Sequence, residues 1–230
     1  MSLGMPLYDL KSRDTLSSLF PSFKKMSESF RRKALSFYSS DECVELLQRL
    51  QNHDPYTLDH SLRVSTAALG LGTEAMLSES EMLDLFKAAL LHDTGKIFIP
   101  KSIIQKPSRL TDQEYEIVKK HPVDSAKLAL QLKDACHLHE HIRAHHERFD
   151  GGGYPDRVAS RRIPLFARFI FIVDTFDAMT YTRVYRKGLA KKIALSEIDR
   201  CSGTQFDPHL VPLFLSLHGY EQESTQKKAA

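Results

Sequence analysis

The sequence predicts an all-α fold. Apolar residues recur at helical spacing in successive stretches between residues 41 and 217, and no stretch alternates convincingly with period two. Ser or Thr followed three residues later by Glu also stands just ahead of apolar runs, the mark of a helix start. At 230 residues, 42% of them apolar, the chain suits one large domain with a short extension, or at most two small domains.

The elements follow in order. The first 26 or so residues are Ser-rich and broken by Pro6 and Pro21, which reads as a loosely ordered arm or short helices. Residues 27–38 form a short helix, so 1–40 make an N-terminal extension and 41–220 the main domain. Ser39 with Glu42 is a capping box that starts a helix carrying Val44, Leu46, Leu47 and Leu50. Pro55 opens the next helix, with His60, Val64, Ala67 and Leu71 along one face. Residues 79–92 carry Met82, Leu83, Phe86, Ala89 and Leu90, and end at His92-Asp93-Thr94-Gly95-Lys96, where Gly95 supplies a turn.

Residues 97–110, with Pro100 and Pro107, are a connector. Thr111 and Glu114 make a second capping box, opening a helix through Tyr115, Ile117 and Val118. Pro122 marks a boundary after His121. Helices at about 123–132 and 134–146 lead to a loop, Asp150-Gly151-Gly152-Gly153-Tyr154-Pro155. Pro164 starts a long apolar helix to about Thr182. Its centre, Phe169 to Val173, has strand propensity, but the length of the flanking pattern favours helix. Two further helices fit about 190–201 and 207–217, the last with Asp207-Pro208 as cap and first residue, and the tail 221–230 is polar and frayed.

Net charge is only +3, so no bulk basic field points to nucleic acid or to a membrane surface. No apolar run is long enough to span a bilayer, and no signal peptide is visible. Cys43, Cys136 and Cys201 are odd in number and widely spaced, as core thiols of a reducing compartment would be. A cytoplasmic location is therefore expected.

The unusual count is eleven histidines. Histidine is the commonest metal ligand. His92-Asp93 and His145-His146 are adjacent pairs, His121 stands at a helix boundary, and His60 lies on an apolar face. Taken singly, a capping Asp beside a core His is the plainer reading of His92-Asp93, and a satisfied core residue that of His60. Asp174, within the most apolar helix, is the most informative residue, because a buried carboxylate is costly unless paired or bound to metal. A donor set of imidazoles and carboxylates without thiolate suits iron, manganese or zinc. His137, His139 and His141 form a separate cluster, read as a solvated polar face with an accidental metal site as the lesser reading.

In order along the chain, His60-Ser61-Leu62-Arg63-Val64, Leu91-His92-Asp93-Thr94-Gly95-Lys96-Ile97 and His121-Pro122 are followed by His145-His146-Glu147-Arg148 with the Gly153-Tyr154-Pro155 loop. Asp174-Thr175-Phe176-Asp177, Arg183, Tyr185-Arg186 and Phe206-Asp207-Pro208 complete the series. In this the chain resembles the HD-GYP branch of the HD phosphohydrolases over roughly residues 45–215. The resemblance implies an HD-domain helical bundle with a metal site in its core. It implies two divalent metal ions, iron or manganese, one held by His60, His92, Asp93 and Asp174 and the other by His121, His145 and His146, with Asp93 bridging. It implies a phosphodiesterase opening cyclic di-GMP to linear pGpG by attack of a hydroxide between the metals. Lys96 and Asp93 would be catalytic, and Lys96, Tyr154, Arg183 and Arg186 would bind substrate.

Two departures stand out. Some family members carry a third-metal Glu where this chain has Tyr56, and the Arg-Pro-Tyr run reads Arg183-Val184-Tyr185. Two metals and slow or no onward conversion to GMP are therefore expected. The competing readings are another cyclic dinucleotide, such as a cyclic GMP-AMP, or a catalytically weak cyclic di-GMP receptor. No nucleic-acid partner and no membrane insertion are expected. The N-terminal extension is assigned to a homodimer contact or a signalling partner.

Overall fold

Each of the stretches expected to be helical on periodicity contains helix, and no strand forms among the described residues. The computed structural model describes residues 21–182 and 187–220. The arm before residue 21, the tail from Glu221, and Arg183 and Arg186 lie outside them. The helices are α1 (Pro21–Lys24), α2 (Glu28–Tyr38), α3 (Asp41–His53), α4 (Pro55–Glu74), α5 (Glu79–Leu91), α6 (Lys101–Ile104) and α7 (Asp112–Val118). There follow α8 (His121–Ala129), α9 (His139–Arg143), α10 (Leu165–Thr180), α11 (Lys191–Arg200) and α12 (Val211–Leu217).

The centre is built by α4, α5 and α10, each of which buries eight or more residues. α4 packs most extensively on α5, and α10 lies against both. The run Phe169 to Val173 is buried and helical, so flanking length outweighed strand propensity. Phe23, Phe30 and Phe37 of α1 and α2 join the same core, Phe23 and Phe30 meeting Phe86 of α5 with ring centroids 6.2 and 6.4 Å away.

Local chemistry shifts several boundaries. The cap of α3 is Ser40, whose hydroxyl accepts from the Cys43 N–H, while Ser39 ends α2. Ser78 and Glu81 form a capping box that starts α5, and Thr111 with Glu114 starts α7 as expected. Ala67 is exposed and Ala68 takes the buried position. The connector 97–110 contains α6. The stretch expected at 134–146 is broken into a 3-10 turn, Cys136–Leu138, and short α9. Asp207 does not cap α12 directly. It is buried, pairs with Arg168, and the last helix begins four residues later at Val211.

Gly95 does not serve as a left-handed turn. It lies in the 3-10 turn Thr94–Phe98, where an added Cβ would come within 2.4 Å of the His121 carbonyl oxygen and 2.5 Å of Ser125 N. The Gly95 N–H donates to the buried Ser125 hydroxyl at 2.7 Å. This close approach sets α8 directly against the turn that follows α5.

Candidate metal centre

Five segments of the chain converge on one buried point. His60 comes from the second turn of α4, and His92 and Asp93 from the end of α5. His121 is the first residue of α8, His145 and His146 lie just beyond α9, and Asp174 sits on the third turn of α10. His60, His92, Asp93, His121, His145 and Asp174 are all buried. Three groups have ligand atoms within 4.8 Å of one another: His60 with His92 and Asp174, His92 with Asp93 and His145, and His121 with His145 and His146. All seven residues read from the sequence as metal ligands are therefore in one place.

The rings are held by their outer nitrogens. Nδ1 of His92 is 2.6 Å from the Ala89 carbonyl, Nδ1 of His121 is 2.7 Å from that of Val118, and Nδ1 of His145 is 2.7 Å from that of Ile142. A carbonyl only accepts, so each Nδ1 carries the proton and each neutral ring turns an Nε2 lone pair inward. Nε2 of His121 and Nε2 of His145 face each other at 3.2 Å. Burial pushes the pKa of both down, that of His145 strongly, and that of His146 to about 3.

The other side of the centre is built from carboxylates. Nδ1 of His60 donates to Asp177 at 2.7 Å, and its Nε2 lies 3.0 Å from Asp174 and 3.5 Å from Asp93. Burial lowers the pKa of His60, but the bonds to Asp174 and Asp177 more than offset this and raise it to about 9. Burial raises Asp174, yet His60 beside it holds it far below the usual carboxylate range. Arg63 grips Asp177 through two nitrogens at 2.7 and 2.9 Å, also meets Asp59, and stacks over Tyr181 at 3.5 Å. Tyr56 lies parallel to the His60 ring at 6.5 Å.

Asp93 stands between the two sides. Its Oδ2 is 2.5 Å from Lys96 Nζ, and its Oδ1 is 3.1 Å from His121 Nε2 and 4.0 Å from His145 Nε2. Burial raises its pKa, but Lys96 and His92 pull it well below the ordinary value. Asp93 Oδ1 and His92 Nε2 accept no directed hydrogen bond although both are fully buried. Such an orphan costs about 1–3 kcal/mol. Facing imidazole lone pairs, an orphaned carboxylate oxygen and no thiolate make a donor set that fits divalent cations.

Tyr154 packs on His146 with ring centroids 4.9 Å apart, and its loop is pinned from beneath. Buried Glu147 takes the Asp156 and Arg157 N–H groups at 2.6 and 3.0 Å. A Cβ on Gly153 would come within 2.3 Å of Arg148 N and 2.5 Å of the His146 carbonyl oxygen.

Sequence reasoning assigned no role to Asp177, Arg63, Glu147 or Ser125. Asp177 and Arg63 had a signal, since each stands three residues after a candidate ligand on the same helix and so near the same face. Ser125 had none. In the separate histidine cluster, His137 meets Asp84 at 3.1 Å, as a polar surface residue. His141 instead accepts the Phe166 N–H at 3.2 Å and stacks on that ring, so it serves the start of α10.

Residues 44–210 match a family model described as HD domain. The chain is 35% identical to the cyclic di-GMP phosphodiesterase PA4108 of Pseudomonas aeruginosa over 174 residues, covering 75% of this chain and 42% of that protein. It is 34% identical to 3'3'-cGAMP-specific phosphodiesterase 3 of Vibrio cholerae, covering 67% of this chain and 34% of that one. A solved HDG"Y"P protein of Bdellovibrio bacteriovorus, Bd1817, superposes with a TM-score of 0.60 at 18% identity, covering 90% of this chain and 69% of that chain, which is a likeness of fold. The chain spans about half the length of the curated relatives it matches.

Proposed function

The chain belongs to the HD-domain family, and on that premise we propose that it is a metal-dependent phosphodiesterase that hydrolyses cyclic di-GMP to linear pGpG. The observation that carries the reading is the pair of buried imidazole lone pairs facing each other at 3.2 Å beside an orphaned carboxylate oxygen. Two divalent ions, iron or manganese, would be held by His60, His92, Asp93 and Asp174 on one side and by His121, His145 and His146 on the other, with Asp93 shared. When bound, they would supply Lewis acidity and lower the pKa of water at the reacting phosphate.

The remaining work belongs to side chains of this chain. Lys96 is half-buried, with its ammonium at the edge of the centre. It is placed to bind a phosphate oxygen and to offset charge that grows there in the transition state. Tyr154 and its pinned loop border the same point and would orient the substrate. Arg183 and Arg186, which lie outside the described residues, are assigned to substrate phosphates, where a guanidinium can hold two oxygens at once. Tyr56, which stacks on His60 where some relatives have an acidic ligand, supports two metals and slow onward conversion of pGpG to GMP. Residues 41–220 are the catalytic domain in this reading.

A relative named as specific for 3'3'-cGAMP supports a second reading with the same chemistry and a mixed dinucleotide substrate. Chromatography after incubating manganese- or iron-loaded protein with cyclic di-GMP, 3'3'-cGAMP and cyclic di-AMP tests both. Formation of pGpG as the first and fastest product is expected. No hydrolysis of any of the three would overturn the proposal and leave a receptor.

A further inference from the structure

A cavity of about 370 Å³ lies between the end of α3, the 3-10 turn Thr94–Phe98 and the start of α6. Arg49, Asn52, His53, Ile97, Phe98 and Lys101 line it. None of the seven candidate metal ligands is among them, and neither is Lys96. The volume is in the range of small-molecule sites.

One wall is an aromatic ring held outward. Phe98 is 57% exposed, whereas Thr94, Gly95 and Ile99 around it are buried. The backbone that carries the ring is fixed at both ends. The Gly95 N–H donates to Ser125, and the Ile99 carbonyl accepts from Nε2 of His53 at 2.8 Å. The turn is therefore not free to rotate and hide the ring, and its apolar face stays in water unless something covers it.

Two cations share the cavity with that ring, and no carboxylate lines it. The Arg49 guanidinium has no hydrogen-bond or ion-pair partner among the described residues. Lys101 gives one N–H to the Asn52 carbonyl at 3.0 Å and carries two more to donate. A guanidinium can hold two oxygens of one anion at once, and an aromatic face gains from packing against a second ring.

We infer that the cavity between α3 and the Phe98 turn is a binding site for a small aromatic anion, a planar ring that carries a phosphate or a carboxylate. The ring packs on Phe98, and the anionic oxygens meet Arg49 and Lys101. The site is distinct from the metal centre, and it does not rest on the phosphodiesterase reading.

The chain contains no tryptophan, so Phe98→Trp puts a single fluorescent reporter in the cavity and keeps an aromatic face there. Phenyl phosphate and benzoate are titrated into the manganese-loaded full chain carrying Phe98→Trp. Both should change the emission saturably, and the tighter of the two identifies the anionic group. Inorganic phosphate, which lacks the ring, and benzyl alcohol, which lacks the charge, should each bind at least about fivefold more weakly, read by competition. Arg49 and Lys101 are exposed, so their substitution leaves the core intact. In the Phe98→Trp background, Arg49→Met and Lys101→Met should each weaken the aromatic anions by about tenfold and leave benzyl alcohol unchanged. No saturable change with either aromatic anion would overturn the inference. An affinity unchanged by both substitutions would overturn it too, by putting the anion elsewhere, as at the metals. Inorganic phosphate binding as tightly as phenyl phosphate would also overturn it, because the ring would then contribute nothing.

Discussion

The two sides of the centre use the same residue type and make it behave in opposite ways. On one side His60 is backed by Asp177 and faced by Asp174, and its pKa is raised to about 9. On the other, His121 and His145 are backed by main-chain carbonyls of the preceding turn, and burial pushes their pKa down together with that of His146. A carboxylate behind the ring adds charge to the site, whereas a carbonyl fixes the tautomer and adds none. His60 is thus tuned by a side chain and open to substitution through its partner, whereas His121, His145 and also His92 on the His60 side are tuned by backbone and can be altered only through the rings themselves.

The largest effect is expected where the sides meet. Asp93→Ala removes the oxygen atoms that face His60, His92 and His121, so metal content should fall to near zero and turnover by at least about a thousandfold. Full metal content by elemental analysis would show that the sides bind independently.

Substituting the buttress separates them. Asp177→Asn keeps the shape but weakens the support for His60, and loss of such a partner lowers metal affinity about 10–100-fold. The loss is expected at one ion of the two, read by competition with a chelator. Equal loss of both ions would mean that Asp177 supports the fold as a whole.

Lys96→Ala tests charge at the mouth. Lys96 is paired with Asp93 at 2.5 Å, and its ammonium has no lone pair to give a metal. Turnover should drop by roughly tenfold to a hundredfold, with a smaller change in KM and no loss of metal. A change confined to KM would assign Lys96 to substrate binding alone.

The smallest effect is the pH dependence of stability in metal-free protein. His60 is raised in the folded state, so its contribution is fully present below its unfolded value near 6.5 and is lost as pH rises through about 9. His146 is lowered to about 3, so the unfolded chain binds more protons below about 6.5 and stability falls as pH drops from there. Tm should therefore peak between these limits. Asp177→Asn should flatten the alkaline limb and His146→Gln the acid limb. The same slopes in both variants would erase the distinction between the sides.

Much of this was legible in the sequence, for identifiable reasons. Helix identity survived because amphipathic periodicity spans whole elements, and capping at Thr111 was read correctly because the box is local. The cap at Ser40 was misplaced by one residue because Ser39 and Ser40 both precede acidic positions. The seven residues that meet in the centre were reached through the family resemblance, since taken singly His92-Asp93 and His60 read as a cap and a core residue, and only Asp174, a carboxylate in an apolar helix, was conspicuous by itself. The supports were not. Glu147 and Ser125 act through contacts 9 and 30 residues away in the chain and nothing local marks them, whereas Asp177, 117 residues from His60, carried only its place one turn after Asp174. Gly95 was read as a turn because close helix approach and a left-handed turn select the same residue.

Anomalous scattering from anaerobically grown crystals, recorded at the iron and manganese edges, tests the two-sided centre itself. Two peaks are expected, one beside His60 and Asp174 and one beside His121, His145 and His146, with Asp93 between them and none beside Tyr56. A single peak, or a third fully occupied one next to Tyr56, would contradict the account.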